Sequence, residues 1–175
     1  MYELISTEER VKILRNVLYQ REVSVTEIAK EAKVSKALVS KIFNILVKEK
    51  ILSKKKRKFV VNDNIRIRTL KIFLNLCEID EGIFKKFKFV RGVGIFGSFV
   101  KGENSSDSDM DMWILIDKTR EEELARLSRE LRKRYTNLKP LYLTQEKLKA
   151  LRERDKIFYY SLVFGSIPIY GEKIE

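Results

Sequence analysis

Apolar positions recur at helical spacing through the first fifty residues, and the phase resets twice. Ser6-x-x-Glu9 reads as a capping box, and Val11, Leu14 and Leu18 follow at helical intervals. Glu22 to Val25 reads as a short extended stretch. Thr26 is expected to cap a second, short helix carrying Ile28, Ala29 and Ala32. Lys33-Val34-Ser35 forms a turn, and Ser35 caps a third helix running to about Lys50. Its apolar stripe is Leu38, Ile42, Ile45 and Leu46. Ile51 to Leu52 and Lys58 to Val61 then alternate as two strands of a hairpin, with the basic run SKKKRK at 53–58 joining them. Residues 64–78 are mostly apolar and read as a connecting helix. Cys77 on that helix is expected to be a small buried apolar residue. Asp80 to Lys88 is a charged loop or short helix.

The pattern then changes. A strand, Gly92 to Phe96, ends in a Gly-Ser turn and the polar loop KGENSSDS. A second strand, Asp109 to Asp117, carries DMDMWILID. A charged amphipathic helix with Leu124, Leu127 and Leu131 covers Thr119 to Tyr135, and Leu138 to Leu143 is a third strand. Thr144 caps a further helix, another covers about Asp155 to Leu162, and SIPIYGE closes the chain as a short strand or turn. Strands and helices in this order predict a mixed α/β (α+β) protein. The expected domains are 1–62, a connecting segment 63–87, and 88–175.

Composition narrows the function classes. The chain has 175 residues, one cysteine and no histidine. Cys/His zinc sites, histidine-based triads and an internal disulfide are therefore excluded. No run is long and apolar enough to span a bilayer, and MYELISTEERVKILR has no signal-peptide character, so a cytoplasmic protein is expected. The net charge of +12 is uneven: residues 1–68 hold 17 basic and 8 acidic residues, a net +9, while residues 69–175 hold a net +3. That bias points to a polyanion partner for the first third of the chain.

The strongest chemical signal is Gly97-Ser98, ten intervening residues, then Asp109-Met110-Asp111. Alternate residues of a strand share a face, so Asp109 and Asp111 point together while Met110 and Met112 face the core. Two carboxylates one strand repeat apart repel unless a cation lies between them, and oxygen ligands of this kind suit Mg²⁺ with substrate phosphates. Gly97 admits a phosphate close to the backbone, and the turn N–H groups with the Ser98 hydroxyl can bind its oxygens. Asp107-x-Asp109-x-Asp111 does not complete an EF-hand loop, because Met112 and Lys118 stand where Gly and Glu are needed. GSFVKGENSS lacks Walker spacing. Trp113 and Phe96 flank the site and are expected to be core. Phe158, Tyr159, Tyr160 and Phe164 form an aromatic cluster, read as core with a dimer surface as the alternative.

At these residues the sequence resembles the nucleotidyltransferase superfamily that includes DNA polymerase β. GSFVKGENSSDSDMDMWILI is similar to the Gly-Ser … Ser-Asp-x-Asp signature of its minimal members, and LVFGSIPIYGE is similar to their C-terminus. The resemblance covers about residues 88–175. It implies a small mixed sheet, triphosphate binding at Gly97 and Ser98, and Mg²⁺ binding at Asp109 and Asp111, which are then also the catalytic residues. It further implies transfer of a nucleoside monophosphate from a nucleoside triphosphate, with ATP the expected one, to an acceptor hydroxyl. Active members carry a third carboxylate on the neighbouring strand. Here that strand is KPLYLT, the expected position falls near Leu141, and no acid lies between Glu130 and Glu146.

Residues 5–62 resemble the winged-helix domains of archaeal and bacterial transcriptional regulators, the carrying segment being TEIAKEAKVSKALVSKIFNILVKEKIL. On the third helix Lys36, Ala37, Ser40, Lys41, Asn44 and Lys48 lie opposite the apolar stripe, and this chemistry suits a helix in the major groove. Lys54, Lys55, Lys56, Arg57 and Lys58 would contact phosphates as the wing. The expected partners are thus duplex DNA and a nucleoside triphosphate, with a protein acceptor and a homodimer as further candidates and no membrane. Two functions stay open. One is a Mg²⁺-dependent nucleotidyltransferase brought to DNA, or to a protein on DNA. The other is a DNA-binding regulator whose transferase domain is degenerate. Apart from these, the antitoxin role seen in some small nucleotidyltransferases, where a partner protein is the acceptor, is a third possibility.

Overall fold

The structure, a computed structural model, describes residues 2–175. The chain divides into two compact units between Leu74 and Asn75. The division falls inside the segment 63–87.

In the first unit, a 3₁₀ turn at Tyr2–Ile5 precedes α1 (Glu8–Leu18), β1 (Glu22–Val23), α2 (Val25–Glu31) and α3 (Lys36–Lys48). The hairpin β2 (Leu52–Lys55) and β3 (Lys58–Val61) follows, and then α4 (Ile65–Cys77). Two caps lie elsewhere than the sequence spacing suggests. Thr7, not Ser6, caps α1 by accepting from the Arg10 N–H, while Ser6 Oγ accepts from the Arg10 guanidinium at 2.9 Å. Ser24, not Thr26, caps α2 by accepting from the Glu27 N–H. In each case the hydroxyl residue nearest the helix start takes the extended backbone that a cap needs. Ser35 caps α3 as expected.

The buried stripe of α3 is Val39, Ile42, Phe43 and Leu46. Leu38 and Ile45 are only partly covered, so the helix is rotated slightly from the expected face. Phe43 meets Phe59 of β3 edge-on at 4.8 Å between ring centres, which anchors the hairpin to α3. The three strands pair antiparallel in the order β1-β3-β2. Cys77 is exposed and not buried. Helix α4 is apolar on much of its circumference, so its sequence gives only a weak indication of which face points outward.

The second unit holds α5 (Gly82–Lys85), β4 (Val90–Phe96), α6 (Ser98–Lys101), β5 (Met110–Ile116) and α7 (Glu121–Arg134). It ends with β6 (Leu138–Leu143), α8 (Gln145–Arg154), α9 (Lys156–Gly165) and β7 (Ile167–Gly171). Its sheet runs β6-β5-β4-β7 and is mixed: β5 and β6 are parallel, the other pairs antiparallel. Parallel neighbours need a crossover, and α7 supplies it. Three glutamates in its first turn and three basic residues in its last complement the helix dipole.

Strand β5 is covered on both faces. Met110, Met112, Ile114 and Ile116 pack with Phe84, Phe87, Leu127 and Leu131. Trp113 and Leu115 pack with Leu143, Leu148, Tyr159 and Leu162. Trp113 is core, as expected, and lies over Gly94 so closely that a Cβ there would fall 2.3 Å from its ring. In the aromatic cluster, Tyr159 is buried and Phe158 half-buried, while Tyr160 and Phe164 are exposed. No helix among the described residues is long and apolar enough to cross a membrane.

Candidate active site

Strand pairing places the two signature segments side by side. Phe96, the last residue of β4, is in register with Asp111 of β5, so Gly97 emerges beside that carboxylate. Gly97 has φ 72° and ψ −143°, a conformation that residues with a side chain rarely adopt. A Cβ on Gly97 would fall 2.5 Å from Asp111 Oδ2. A side chain at position 97 would therefore collide with the Asp111 carboxylate. Ser98, half-buried, opens the single turn α6, which ends at Gly102 in the left-handed region. Gly97→Ala is therefore expected to cost about 1–3 kcal/mol of stability from backbone strain. It should also weaken nucleotide binding, as chemical denaturation and calorimetry on the same preparation would measure.

The loop from Gly102 to Asp109 is not merely solvated. Asn104 is 2% exposed and pairs reciprocally with Asn75, at 3.1 and 3.2 Å, and Asn75 also donates to the Phe99 carbonyl at 2.9 Å. This amide pair ties the loop between the glycine turn and the acidic pair to the second unit's interior. Asn104→Ala removes both amide–amide bonds of the pair while leaving the Asn75 bond to Phe99, and a loss of about 1–3 kcal/mol in urea denaturation is expected.

Asp109 stands one residue before β5 and is exposed; Asp111 lies within β5 and is half-buried. Burial pushes the Asp111 carboxyl above its ordinary pKa; the nearby Lys139 charge opposes this and Asp109 adds to it. Lys139 is the residue that sequence reasoning missed. In the parallel pairing of β5 with β6 it stands opposite Asp111, and its ammonium lies 2.6 Å from Asp109 Oδ2. That hydrogen bond and charge raise the Lys139 pKa. Leu141, where a third acid was looked for, stands opposite Trp113, one strand repeat deeper, and is partly buried among apolar side chains. Among the described residues no group of three or more His, Cys, Asp or Glu side chains is placed to hold a metal ion.

A family model, polymerase beta nucleotidyltransferase, matches residues 80–175, more than half of the chain. The chain belongs to this nucleotidyltransferase family. No curated protein matches it. The matched span contains the glycine turn, the acidic pair and the whole mixed sheet. On β6 it is a lysine, Lys139, that faces the acidic pair.

The residues expected to bind DNA all lie in the first unit. Lys36, Ala37, Ser40, Lys41, Asn44 and Lys48 are exposed along one side of α3, away from its buried stripe. The basic run is longer in strand than expected: Lys54 and Lys55 end β2, Lys56 and Arg57 form the turn, and Lys58 opens β3. All five are exposed.

Proposed function

We propose that the C-terminal unit is a Mg²⁺-dependent nucleotidyltransferase that moves a nucleoside monophosphate, with ATP the expected donor, onto an acceptor hydroxyl. The N-terminal unit is a winged helix-turn-helix that brings it to duplex DNA. The observation that carries the reading is the close approach of the Gly97 backbone to the Asp111 carboxylate, which a side chain at Gly97 would block. Two neighbouring carboxylates with such an approach fit a hard divalent cation that also takes phosphate oxygens. Asp109 and Asp111 would hold the cation; Gly97 and Ser98 would hold the triphosphate. A bound Mg²⁺ supplies charge neutralisation to the triphosphate. The chain's own part is positioning: the β4–β5 register fixes Gly97 against Asp111, and the Asn75–Asn104 pair holds the intervening loop.

The order α1-β1-α2-α3-β2-β3, with a polar and basic outer face on α3 and a basic hairpin, supports the winged-helix reading. The second reading, a DNA-binding regulator with a weak transferase domain, has an observation of its own. No carboxylate on β6 faces the acidic pair, so the acceptor hydroxyl lacks a general base there. Such a loss costs on the order of 10²–10⁴ in rate.

Incubation with labelled nucleoside triphosphates, Mg²⁺ and a cell lysate tests the first reading. Label on a protein or nucleic acid that Asp109→Asn abolishes supports it. Absence of label with all four nucleotides, alongside intact DNA binding, favours the regulator.

A further inference from the structure

Lys139 is an exposed lysine on a surface strand, yet its ammonium is committed to Asp109 and its backbone position faces Asp111. Asp109 and Asp111 set two carboxylates one residue apart in the chain, and a lysine is a compact cation that the neighbouring strand can deliver beside them. Both partners remain largely open to water, at 66% and 46% exposure for the two side chains. Exposed pairs of this kind are weak and easily exchanged.

We propose that Lys139 is a built-in counter-ion that competes with divalent cations for the acidic pair. Its ammonium holds Asp109 in the free protein and has to leave before both carboxylates are available to a divalent cation. This rests on reading Asp109 and Asp111 as the cation site. Two features make the competition specific. The Lys139 backbone is fixed by the parallel ladder from Met110↔Leu138 to Leu115↔Leu143, so its long side chain starts from a fixed point opposite Asp111. Its next neighbour along β6 is Pro140, which restricts the local backbone further. Once displaced, Lys139 stays beside the site as a positive charge with three free donors, suited to an anionic phosphate oxygen.

The test is titration of the full-length protein with Mn²⁺ alone, without nucleotide, read by the loss of the free-ion electron paramagnetic resonance signal at low salt. Lys139→Ala and Lys139→Met are expected to bind Mn²⁺ about two- to fivefold tighter than the unmodified protein. The methionine variant keeps the aliphatic stem, so an effect shared by both belongs to the charge. In an Asp109→Asn background the gain from Lys139→Ala should shrink toward none, because the pair that competes is already broken. Equal or weaker Mn²⁺ binding by both lysine variants overturns the proposal while leaving the cation site standing. A gain that persists undiminished with Asp109→Asn also overturns it, because the effect is then one of general charge. No Mn²⁺ binding by any of these proteins overturns both the proposal and the cation-site reading beneath it.

Discussion

Asp111→Asn is expected to lower nucleotidyl transfer by on the order of 10²–10³-fold without lowering the thermal midpoint at neutral pH. Asparagine keeps the shape but removes the charge, and charge neutralisation at the phosphates is where this chemistry gains most of its rate. The stability half follows from the environment of Asp111. Burial raises its carboxyl pKa in the folded chain above that in the unfolded chain. A carboxyl shifted in this direction costs folding free energy above its folded pKa, and the cost disappears as pH falls through that value. Asparagine carries no such cost. The variant should melt at the same or a higher temperature at pH 7, with the difference shrinking on acidification. Scanning calorimetry at several pH values, beside a transfer assay, measures both. A variant that loses midpoint and activity together would identify Asp111 as structural.

The second large effect concerns the hairpin. Changing Lys54, Lys55, Lys56, Arg57 and Lys58 together to alanine is expected to weaken duplex DNA binding by about 10²-fold or more at low salt. The slope of log affinity against log salt should become less negative by about 0.9 for each phosphate contact removed. The local structure explains why these residues are hard to account for otherwise. Lys55 and Lys58 are directly opposed across the β2–β3 ladder, a like-charge pairing that costs stability. Lys56 in the turn has φ 55°, a conformation better served by glycine or asparagine. Among the described residues Lys58 pairs with an acid, Glu22 at 3.7 Å, so its share of DNA binding should be the smallest on electrostatic grounds. A hairpin that violates local preferences in this way is suited to a polyanion that relieves the repulsion. Fluorescence anisotropy over a salt series reads the result. Unchanged affinity and slope would rule out the hairpin as the electrostatic contact. Because all five side chains are exposed, folding should be retained.

Local signals in the sequence carried the elements far better than they carried contacts between distant residues. The strand Leu138–Leu143 and the caps Ser35 and Thr144 were legible because alternation and side-chain capping act within a few residues. The Gly97 turn and the Asp109–Asp111 spacing were legible for the same reason. Lys139 was not, since its role depends on the register of two parallel strands separated by α7, and a crossover of that length leaves the register open. The position expected for a third acid, near Leu141, therefore lies one strand repeat away from the residue that faces Asp111. The Asn75–Asn104 pair was equally hidden: each asparagine read alone is a polar surface residue, and only packing brings two residues 29 apart together. Ser24 and Thr26 could both cap the same helix, and the choice fell to the backbone between β1 and α2.

Gly97-Ser98 and Asp109-Asp111 are proposed to form a single site for a nucleoside triphosphate with its divalent cation. Isothermal titration of the protein with ATP, in Mg²⁺ and then in a chelator, tests it most directly. Saturable binding of one nucleotide per chain that requires Mg²⁺ and is lost with Asp109→Asn is the expected result. Absence of Mg²⁺-dependent binding for every nucleoside triphosphate, or equal binding with and without the cation, would contradict it.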